Sequence, residues 1–302
     1  MRGQDFVSPA ESAENEEKEK QQKGEKMSSY HYGKPGKQDW AHVADVFAAH
    51  ESLKSEKTSS IPLVQFWQDD DGFQDRVNDL QSILGDVGIM KSESMMCFEY
   101  GVSVPKGKEF GRGKASMTDL MIITPDHVIA IEAKYTEYLK SEYEPLCSWL
   151  KDSKTGKFSE NKLKVLAGWL NYIFGGVDNM PVKDFAQKDE AKKIPYQLIH
   201  RIASACAVAK AKDKKAIVVY QLFYDRGQEK KRDEFSDELY KAVCALGIKD
   251  TVKFYVIGVE TKYERGNEKP ERLNDLFLEM QEKPVYSFGP TILLKTNQTV
   301  NN

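Results

Sequence analysis

Two apolar segments separated by a very short turn constrain how this chain can fold more than any other feature of the sequence. Residues 117–124 and 128–134 are rich in β-branched and other apolar side chains, and Pro125 and Asp126 between them are turn-forming residues. Two strand-like segments joined in this way form an antiparallel hairpin. The sequence therefore predicts a hairpin within a β-sheet, and the rest of the chain must supply the other strands and the helices that cover them.

The register of this hairpin brings three charged residues together. A turn centred on residues 125 and 126 places Asp119 opposite Glu132, with their Cβ atoms roughly 4.5–5.5 Å apart. Because side chains alternate between the two faces of a strand, Lys134 lies on the same face as Glu132, and their apolar neighbours point to the other face. We therefore predict that three charges converge at one point of an otherwise apolar hairpin.

The predicted cluster suits the binding of a divalent cation. Opposed carboxylates repel each other unless positive charge lies between them, and Mg²⁺ prefers oxygen ligands, binding through one or two carboxylates while it keeps water. We expect Asp119, Glu132 and the backbone carbonyl of Ala133 to hold this ion. Lys134 would orient or deprotonate an attacking water, or stabilise charge on a phosphate, so phosphodiester hydrolysis is the expected reaction. By the same reasoning, Asp119→Asn or Glu132→Gln should keep or raise the stability of the metal-free protein.

The pattern of these residues resembles that of a known nuclease superfamily. Thr118-Asp119, a spacing of thirteen residues from Asp119 to Glu132, and then Glu132-Ala133-Lys134 resemble the PD-(D/E)XK, or restriction-endonuclease-like, proteins. Thr118 stands where the family usually has proline, a position that shapes the backbone and does not bind metal. The resemblance implies an α/β fold with a mixed β-sheet core flanked by helices. It also implies Mg²⁺-dependent cleavage of DNA, with Mn²⁺ as a substitute, Lys134 as the catalytic lysine, and a role in restriction or anti-phage defence.

Two weaker matches extend the resemblance, which covers roughly residues 99–224. Glu99 lies on the strand before the hairpin, where family members often carry an additional acidic residue near the metal. Gln197 and Arg201 are four residues apart on one helical face and resemble a glutamine-containing helix beside the metal site, which implies a catalytic Gln197 and a phosphate contact by Arg201. The alternatives are a solvated strand side chain for Glu99 and an exposed polar helix face for the other two.

A glycine-rich basic loop leads into the hairpin. Lys106, Lys108, Arg112 and Lys114 lie just before Asp119, so we expect this flexible loop to contact nucleic-acid phosphates, with an ordinary solvated loop as the alternative. The formal net charge of the chain is -3, which provides no overall basic field. Contact with DNA must therefore come from such a local patch.

The distribution of apolar residues predicts one folded domain with two polar ends. Residues 1–60 are charged and are expected to be largely disordered apart from a short helix within 40–50, residues 61–294 form the α/β domain, and residues 295–302 are expected to be frayed. Strand-like segments and helical patterns alternate within the domain, which favours a mixed sheet with helices on its faces. The predicted strands are residues 95–104, 116–124, 128–135, 216–224 and 253–260, and the predicted helices lie within 61–85, 163–174, 197–211 and 234–246.

Composition excludes several other classes of protein. The four cysteines contain no CxxC pair, which argues against a structural zinc site or a disulfide framework and favours a reducing, cytoplasmic setting. No apolar run approaches the roughly 18 residues of a membrane span, so no membrane partner is expected. Two readings remain beside the DNA nuclease: a catalytically silent DNA-binding or protein-interaction module on the same fold, and a nuclease that acts on RNA. Oligomeric state and partner subunits are left open.

Overall fold

Within the residues that the structure describes, seven strands form a single mixed sheet in which neighbours in sequence are also neighbours in space. The structure is a computed structural model that describes residues 29–35, 42–50, 55, 57–85, 87–89, 93–140, 143–175, 182–248, 252–266, 270 and 272–298. The strands are β1 Ser29–Tyr32, β2 Met95–Val102, β3 Ser116–Ile123, β4 His127–Lys134, β5 Lys215–Asp225, β6 Lys253–Tyr263 and β7 Tyr286–Thr296. The pairs β1/β2, β4/β5 and β5/β6 are parallel and the other three are antiparallel. The predicted mixed α/β sheet is confirmed.

Helices cover both faces of this sheet. They are α1 Val43–His50, α2 Ser60–Phe66, α3 Phe73–Leu84, α4 Leu146–Leu150, α5 Glu160–Phe174, α6 Val182–Gln187, α7 Asp189–Lys192, α8 Tyr196–Lys212, α9 Glu229–Leu246 and α10 Asp275–Glu282, with a 3₁₀ turn at Glu137–Lys140. The first three and α10 pack into one hydrophobic core, and α4 to α9 pack into the other. None of the helices in the described part of the chain is both long enough and apolar enough to cross a membrane.

The hairpin of β3 and β4 has the register that its turn predicts. Paired residues run from Ile123 opposite Val128 to Leu120 opposite Ile131, and the Thr124 amide donates a 2.9 Å hydrogen bond to the carbonyl oxygen of His127 to close the turn. Side chains of β4 alternate strictly, because residues 128 and 130 enter one core while residues 129, 131 and 133 enter the other. One step beyond the last pair, Asp119 lies across from Glu132.

The folded part begins earlier than the boundary expected near residue 61. β1 extends the sheet by pairing with β2, and Tyr30 is buried there. The predicted short helix is confirmed as α1, whose Phe47 ring lies 5.0 Å from that of Phe98 and 5.2 Å from that of Phe277. The few apolar residues of this segment are spaced to cover one edge of the sheet. Hydropathy averaged over sixty mostly polar residues conceals this spacing. Residues 1–28 lie outside the described residues.

The chain is also ordered further toward its C-terminus than expected. Lys295 and Thr296 complete β7, and Asn297 Oδ1 accepts a 2.9 Å hydrogen bond from the Phe254 amide. This strand was not predicted, because most of its side chains are partly or fully exposed and its apolar pattern is correspondingly weak. Residues 299–302 lie outside the described part of the chain.

Replacement of Phe47 by alanine tests whether α1 belongs to the folded unit. Removing this buried ring leaves a cavity beside Phe98 and Phe277, so we expect the free energy of unfolding to fall by about 3–5 kcal/mol. Urea unfolding followed by circular dichroism measures the change. Ala49→Ser, at an exposed position of the same helix, is the matched control and should stay within about 0.5 kcal/mol of the parent. A control-sized effect of Phe47→Ala would contradict the packing of α1.

Candidate active site

A charged cluster lies where the β3/β4 ladder ends and helix α8 crosses the sheet. Pro195 precedes α8, and a stripe of apolar residues that includes Leu198 and Ile202 buries the helix against the sheet. This packing turns Gln197 and Arg201, one helical turn apart, toward the hairpin. Side chains from two elements that are distant in sequence therefore meet at one point.

Glu132 is the centre of this cluster. The residue is only 1% exposed, yet both oxygens of its carboxylate have donors. Oε1 accepts hydrogen bonds from Lys134 Nζ at 2.6 Å and Gln197 Nε2 at 2.8 Å, and Oε2 accepts one from Arg201 Nε. A buried carboxylate is tolerated only when it is paired and hydrogen-bonded in this way. The fold thus holds one negative charge below the surface between two cations and an amide.

Asp119 is held less closely. Its side chain is 21% exposed, and Oδ1 lies 3.8 Å from Arg201 Nη2. Oδ2 accepts a 2.8 Å hydrogen bond from the backbone amide of Ala133. Ala133, predicted to contribute its carbonyl, therefore contacts the cluster through its N–H. The Arg201 guanidinium bridges the two carboxylates that the hairpin places opposite each other.

The two carboxyl groups titrate in different ranges. Burial, together with the nearby Glu132 carboxylate, raises the pKa of Asp119 to about 7, against the opposing effects of Arg201 and Lys134. Burial also acts to raise the pKa of Glu132, but the charges of Arg201 and Lys134 and their hydrogen bonds outweigh it, so this pKa is lowered. Glu132 is therefore a fixed anion, whereas Asp119 changes its charge near neutral pH.

The positive charge that the opposed carboxylates require is supplied by the chain itself. The sequence led us to expect a divalent cation between Asp119 and Glu132, but here Arg201 and Lys134 balance the two negative charges. The prediction that either carboxylate could be neutralised without loss of stability therefore needs correction for Glu132. Its neutralisation removes the anion that Arg201 and Lys134 both contact and leaves them only Asp119, whose Oδ1 lies 3.8 Å from Arg201 Nη2, so it is costly.

The donor atoms present are nevertheless of the kind that Mg²⁺ binds. Asp119 and Glu132 provide carboxylate oxygens, and two carboxylates with water are a common Mg²⁺ ligand set. A carboxylate has about four acceptor positions, of which Glu132 uses three. An ion that contacts both groups must share or displace the bridging position of Arg201, so its binding is coupled to movement of the guanidinium.

Glu99 is not brought into this cluster. It is half-buried on β2 with a φ of 49°, a left-handed conformation that costs a non-glycine residue on the order of 1–3 kcal/mol. The flanking pairs, Phe98 with Leu120 and Tyr100 with Thr118, place it across from Asp119. Within the described residues, no three Asp, Glu, His or Cys side chains are grouped closely enough to share a metal ion. The strained residue therefore lies beside the site without joining the two carboxylates in a three-ligand group.

The basic loop is divided in two by the structure. All four basic residues are exposed, but only Arg112 and Lys114 line a cavity of about 430 Å³ that also includes Arg201. The loop was expected to be flexible, but Asn161 fixes it to α5: its Oδ1 accepts from the Arg112 amide at 3.2 Å, and its Nδ2 donates to the Arg112 carbonyl at 3.1 Å. A larger cavity of about 540 Å³ between α7 and α9 contains none of the predicted site residues.

Ser116 and His200 were not predicted as site residues, yet they adjoin the cluster. Arg201 Nη1 donates a 3.0 Å hydrogen bond to Ser116 Oγ, which lies 2.7 Å from His200 Nδ1. Burial lowers the pKa of His200 to about 3, and the Arg201 charge adds to this effect. The imidazole is therefore neutral at physiological pH, and the network is completed when the Ser116 hydroxyl donates to Nδ1. No sequence spacing signals this contact, because it arises only when α8 packs on β3.

Comparison with known families assigns the chain without assigning a function. Residues 36–262 match the domain of unknown function DUF6946. The chain belongs to this family. No curated protein and no solved structure matches it. The part of the chain that matches DUF6946 includes β2 to β5, β6 except its last residue, and every residue of the charged cluster, so the site lies inside the domain that defines the family.

The unequal pKa shifts of the two carboxyl groups predict how the stability of the DUF6946 chain depends on pH. The pKa of Asp119 is higher in the folded state than its ordinary 3.8, so its contribution is fully present below about pH 4 and is lost as pH rises to about 7. Asp119→Asn should remove this decline and raise the free energy of unfolding at pH 8 by an amount on the order of a few kcal/mol. Urea unfolding across pH 4–8 measures it.

Glu132→Gln is the matched variant, because it also replaces a carboxylate by an amide of equal size. Its lowered pKa means that the Glu132 anion stabilises the fold above its ordinary value of 4.5 and is lost on acidification. At pH 8 this variant should lose about 3–5 kcal/mol, opposite in sign to Asp119→Asn. Equal effects of the two substitutions would contradict the asymmetric pairing.

Proposed function

We propose that this domain is a metal-dependent nuclease that hydrolyses DNA phosphodiester bonds. The observation that carries the proposal is the convergence of Asp119, Glu132 and Lys134 at the end of one hairpin, with Gln197 and Arg201 of α8 on the same carboxylates. Hairpin and helix are distant in sequence, so their meeting is independent of the spacing that produced the PD-(D/E)XK resemblance. A restriction or anti-phage role is part of the proposal and is supported by the resemblance alone.

In this proposal the two carboxylates hold Mg²⁺, or Mn²⁺ in its place. The bound ion would act as a Lewis acid on a phosphate oxygen and lower the pKa of coordinated water. Gln197 contacts Glu132 and is a positioning residue, because its amide fixes the orientation of that carboxylate. Arg201 orients both carboxylates and also faces the basic cavity, where a guanidinium can contact a phosphate.

Lys134 acts as a cation in this scheme. Burial alone would lower its pKa, but Glu132 and Asp119 outweigh that effect and raise it. Between the two roles that the sequence left open, a raised pKa favours a protonated lysine that orients water and stabilises charge on the phosphate over one that removes a proton. Its side chain is 12% exposed, so it can reach a substrate at the surface while it remains paired with Glu132.

One observation favours a second candidate function. The carboxylates are already neutralised by Arg201 and Lys134, as they would be in a catalytically silent module that binds nucleic acid through the basic cavity and uses the cluster only as structure. The two candidates differ in whether a cation can compete with Arg201 for the carboxylates. RNA as the substrate of the same site is the third outcome that an activity assay resolves.

Single substitutions at the hairpin test the catalytic assignment. Asp119→Asn, Glu132→Gln and Lys134→Ala should each lower cleavage of plasmid and linear DNA in Mg²⁺ or Mn²⁺ by at least about 100-fold, because each removes a group that orients or stabilises the reacting phosphate. Lys253→Ala, at the exposed start of β6, is the control for loss of a lysine and should cleave normally. Full cleavage by all three variants, or cleavage by the parent in EDTA, would contradict the proposal. The same assays are run on RNA to show whether the site cleaves RNA instead of DNA.

Thermal melts separate the catalytic from the silent module. An ion that binds only the folded state raises stability by RT ln(1 + [L]/Kd), about 2.7 kcal/mol at one hundred times Kd. We expect Mg²⁺ or Mn²⁺ to raise the melting temperature of the parent and to have little effect on Asp119→Asn. The melts are repeated with a bound nuclease-resistant oligonucleotide, since phosphate oxygens can complete the ligand set. Absence of a metal-dependent shift in both conditions would favour the silent module.

A further inference from the structure

We propose that the basic cavity binds one nucleotide of a single-stranded nucleic acid and places the adjoining phosphate beside the carboxylate cluster. The cavity is formed by residues 112–117, α4, α5 and the start of α8. The inference deepens the proposed function by naming a substrate class. It rests on that function for the position of cleavage, whereas binding in the cavity does not require cleavage.

The charges that line the basic cavity have one sign. Arg112, Lys114, Lys162 and Arg201 line it, and none of its described lining residues is Asp or Glu. This is unusual for a chain with 47 acidic against 44 basic residues. Because Arg201 is paired with Glu132, the charge available to a phosphate comes mainly from Arg112, Lys114 and Lys162. A concave surface with this charge concentrates phosphate groups, and it needs no metal ion to do so.

Aromatic rings form the inner wall of the cavity. Trp149 and Tyr196 stack with their centroids 3.6 Å apart and their planes at 10°, and Tyr196 accepts a 2.9 Å hydrogen bond from Trp169 Nε1. His200 continues the wall as a neutral ring. Aromatic side chains beside a basic channel are the usual means by which proteins contact unpaired bases, and they do so with little sequence preference.

The dimensions and rigidity of the cavity favour a single unpaired unit. Its volume of about 430 Å³ accommodates one base with its sugar and phosphate, but not two paired nucleotides with both of their backbones. A Cβ at Gly111 would lie 2.4 Å from the Asn161 carbonyl oxygen, so only glycine allows the loop to approach α5 this closely. The binding surface is thus fixed in advance, and a duplex could use it only by extruding a base at an energetic cost.

Arg201 connects the cavity to the charged cluster. One edge of its guanidinium contacts Glu132 and approaches Asp119, while Nη1 contacts Ser116 on the cavity wall. A nucleotide bound in the cavity would therefore have only the Arg201 side chain between its backbone and the two carboxylates. The natural substrates of such an arrangement are single strands, frayed ends and flaps.

Binding is measured with the full chain in EDTA, by fluorescence anisotropy of labelled oligonucleotides of one sequence as single-stranded DNA, single-stranded RNA and blunt duplex DNA. We expect single strands to bind at least about tenfold more tightly than the duplex. Arg112→Ala/Lys114→Ala should weaken single-strand binding at least about tenfold. Lys154→Ala/Lys157→Ala removes the same charge at exposed positions outside the cavity and should change it less than about threefold.

Replacing a small residue of the cavity wall by a large one fills the cavity without changing the charge of its lining. Ala115 lines the cavity at an exposed position, so Ala115→Phe should fold normally, as a thermal melt checks, and lose single-strand binding. Equal weakening by the two double variants, tight binding by Ala115→Phe, or equal affinity for duplex and single strand would each overturn the inference. If Ala115→Phe cleaves duplex DNA as well as the parent does, the nuclease proposal stands and the role of the cavity is contradicted. If the parent binds single strands selectively but cleaves no substrate, the role of the cavity stands and the nuclease proposal is contradicted.

Discussion

The buried ion pair between Glu132 and Arg201 is the interaction on which the rest of the site depends. A carboxylate at 1% exposure in the middle of a sheet is unfavourable unless a cation reaches it, and here the cations come from the same strand and from the helix that crosses it. Helix α8 is thereby tied to the β3/β4 hairpin by charge as well as by its apolar stripe. The orientation of the helix in turn decides which residues face the basic cavity.

This pairing also makes the two carboxylates unequal. Arg201 and Lys134 surround Glu132, so its charge is permanent, whereas Asp119 is left with one amide donor and a longer approach to Arg201. The raised pKa of Asp119 shows that its negative charge is unfavourable once Glu132 is ionised. Additional positive charge near Asp119 would remove this difficulty. In the proposed function, a cation would therefore bind first at Asp119, the more exposed carboxylate, and would reach Glu132 only by competing with Arg201.

The parts of the structure that follow from local rules could be predicted from the sequence. A proline-containing turn set the register of the hairpin, strand alternation placed Glu132 and Lys134 on one face, and helical spacing grouped Gln197 with Arg201. In each case the relevant residues lie within one element or one tight turn. The assignment of Arg201 to the carboxylates could not be derived in this way, since the helix face that carries it looks like any exposed polar face until its packing is known.

Features that depend on long-range packing were missed. β1 buries few residues in a polar segment, and β7 is too exposed to show a clear alternation. The contact of Ser116 with His200 and the left-handed backbone of Glu99 require neighbours from other elements, so no pattern in the sequence encodes them locally. Composition averaged over a window identifies elements with large apolar stripes, and it fails for short ones at the edges of a sheet.

Whether the cluster is catalytic or only structural depends on how firmly Arg201 is held. Its guanidinium has three kinds of partner within reach: the buried carboxylate, the exposed carboxylate and the hydroxyl on the cavity wall. The contact with Glu132 is the most buried and the one with Asp119 is the longest, so Asp119 is the first partner to be given up. A phosphate in the cavity offers Arg201 a new anion at the moment when a metal ion would replace it at Asp119. Under the proposed function, nucleic acid and cation would then promote each other's binding, because each would compensate a charge that the other leaves exposed. A purely structural ion pair provides no such exchange, since neither ligand would have a stronger interaction with a rearranged Arg201.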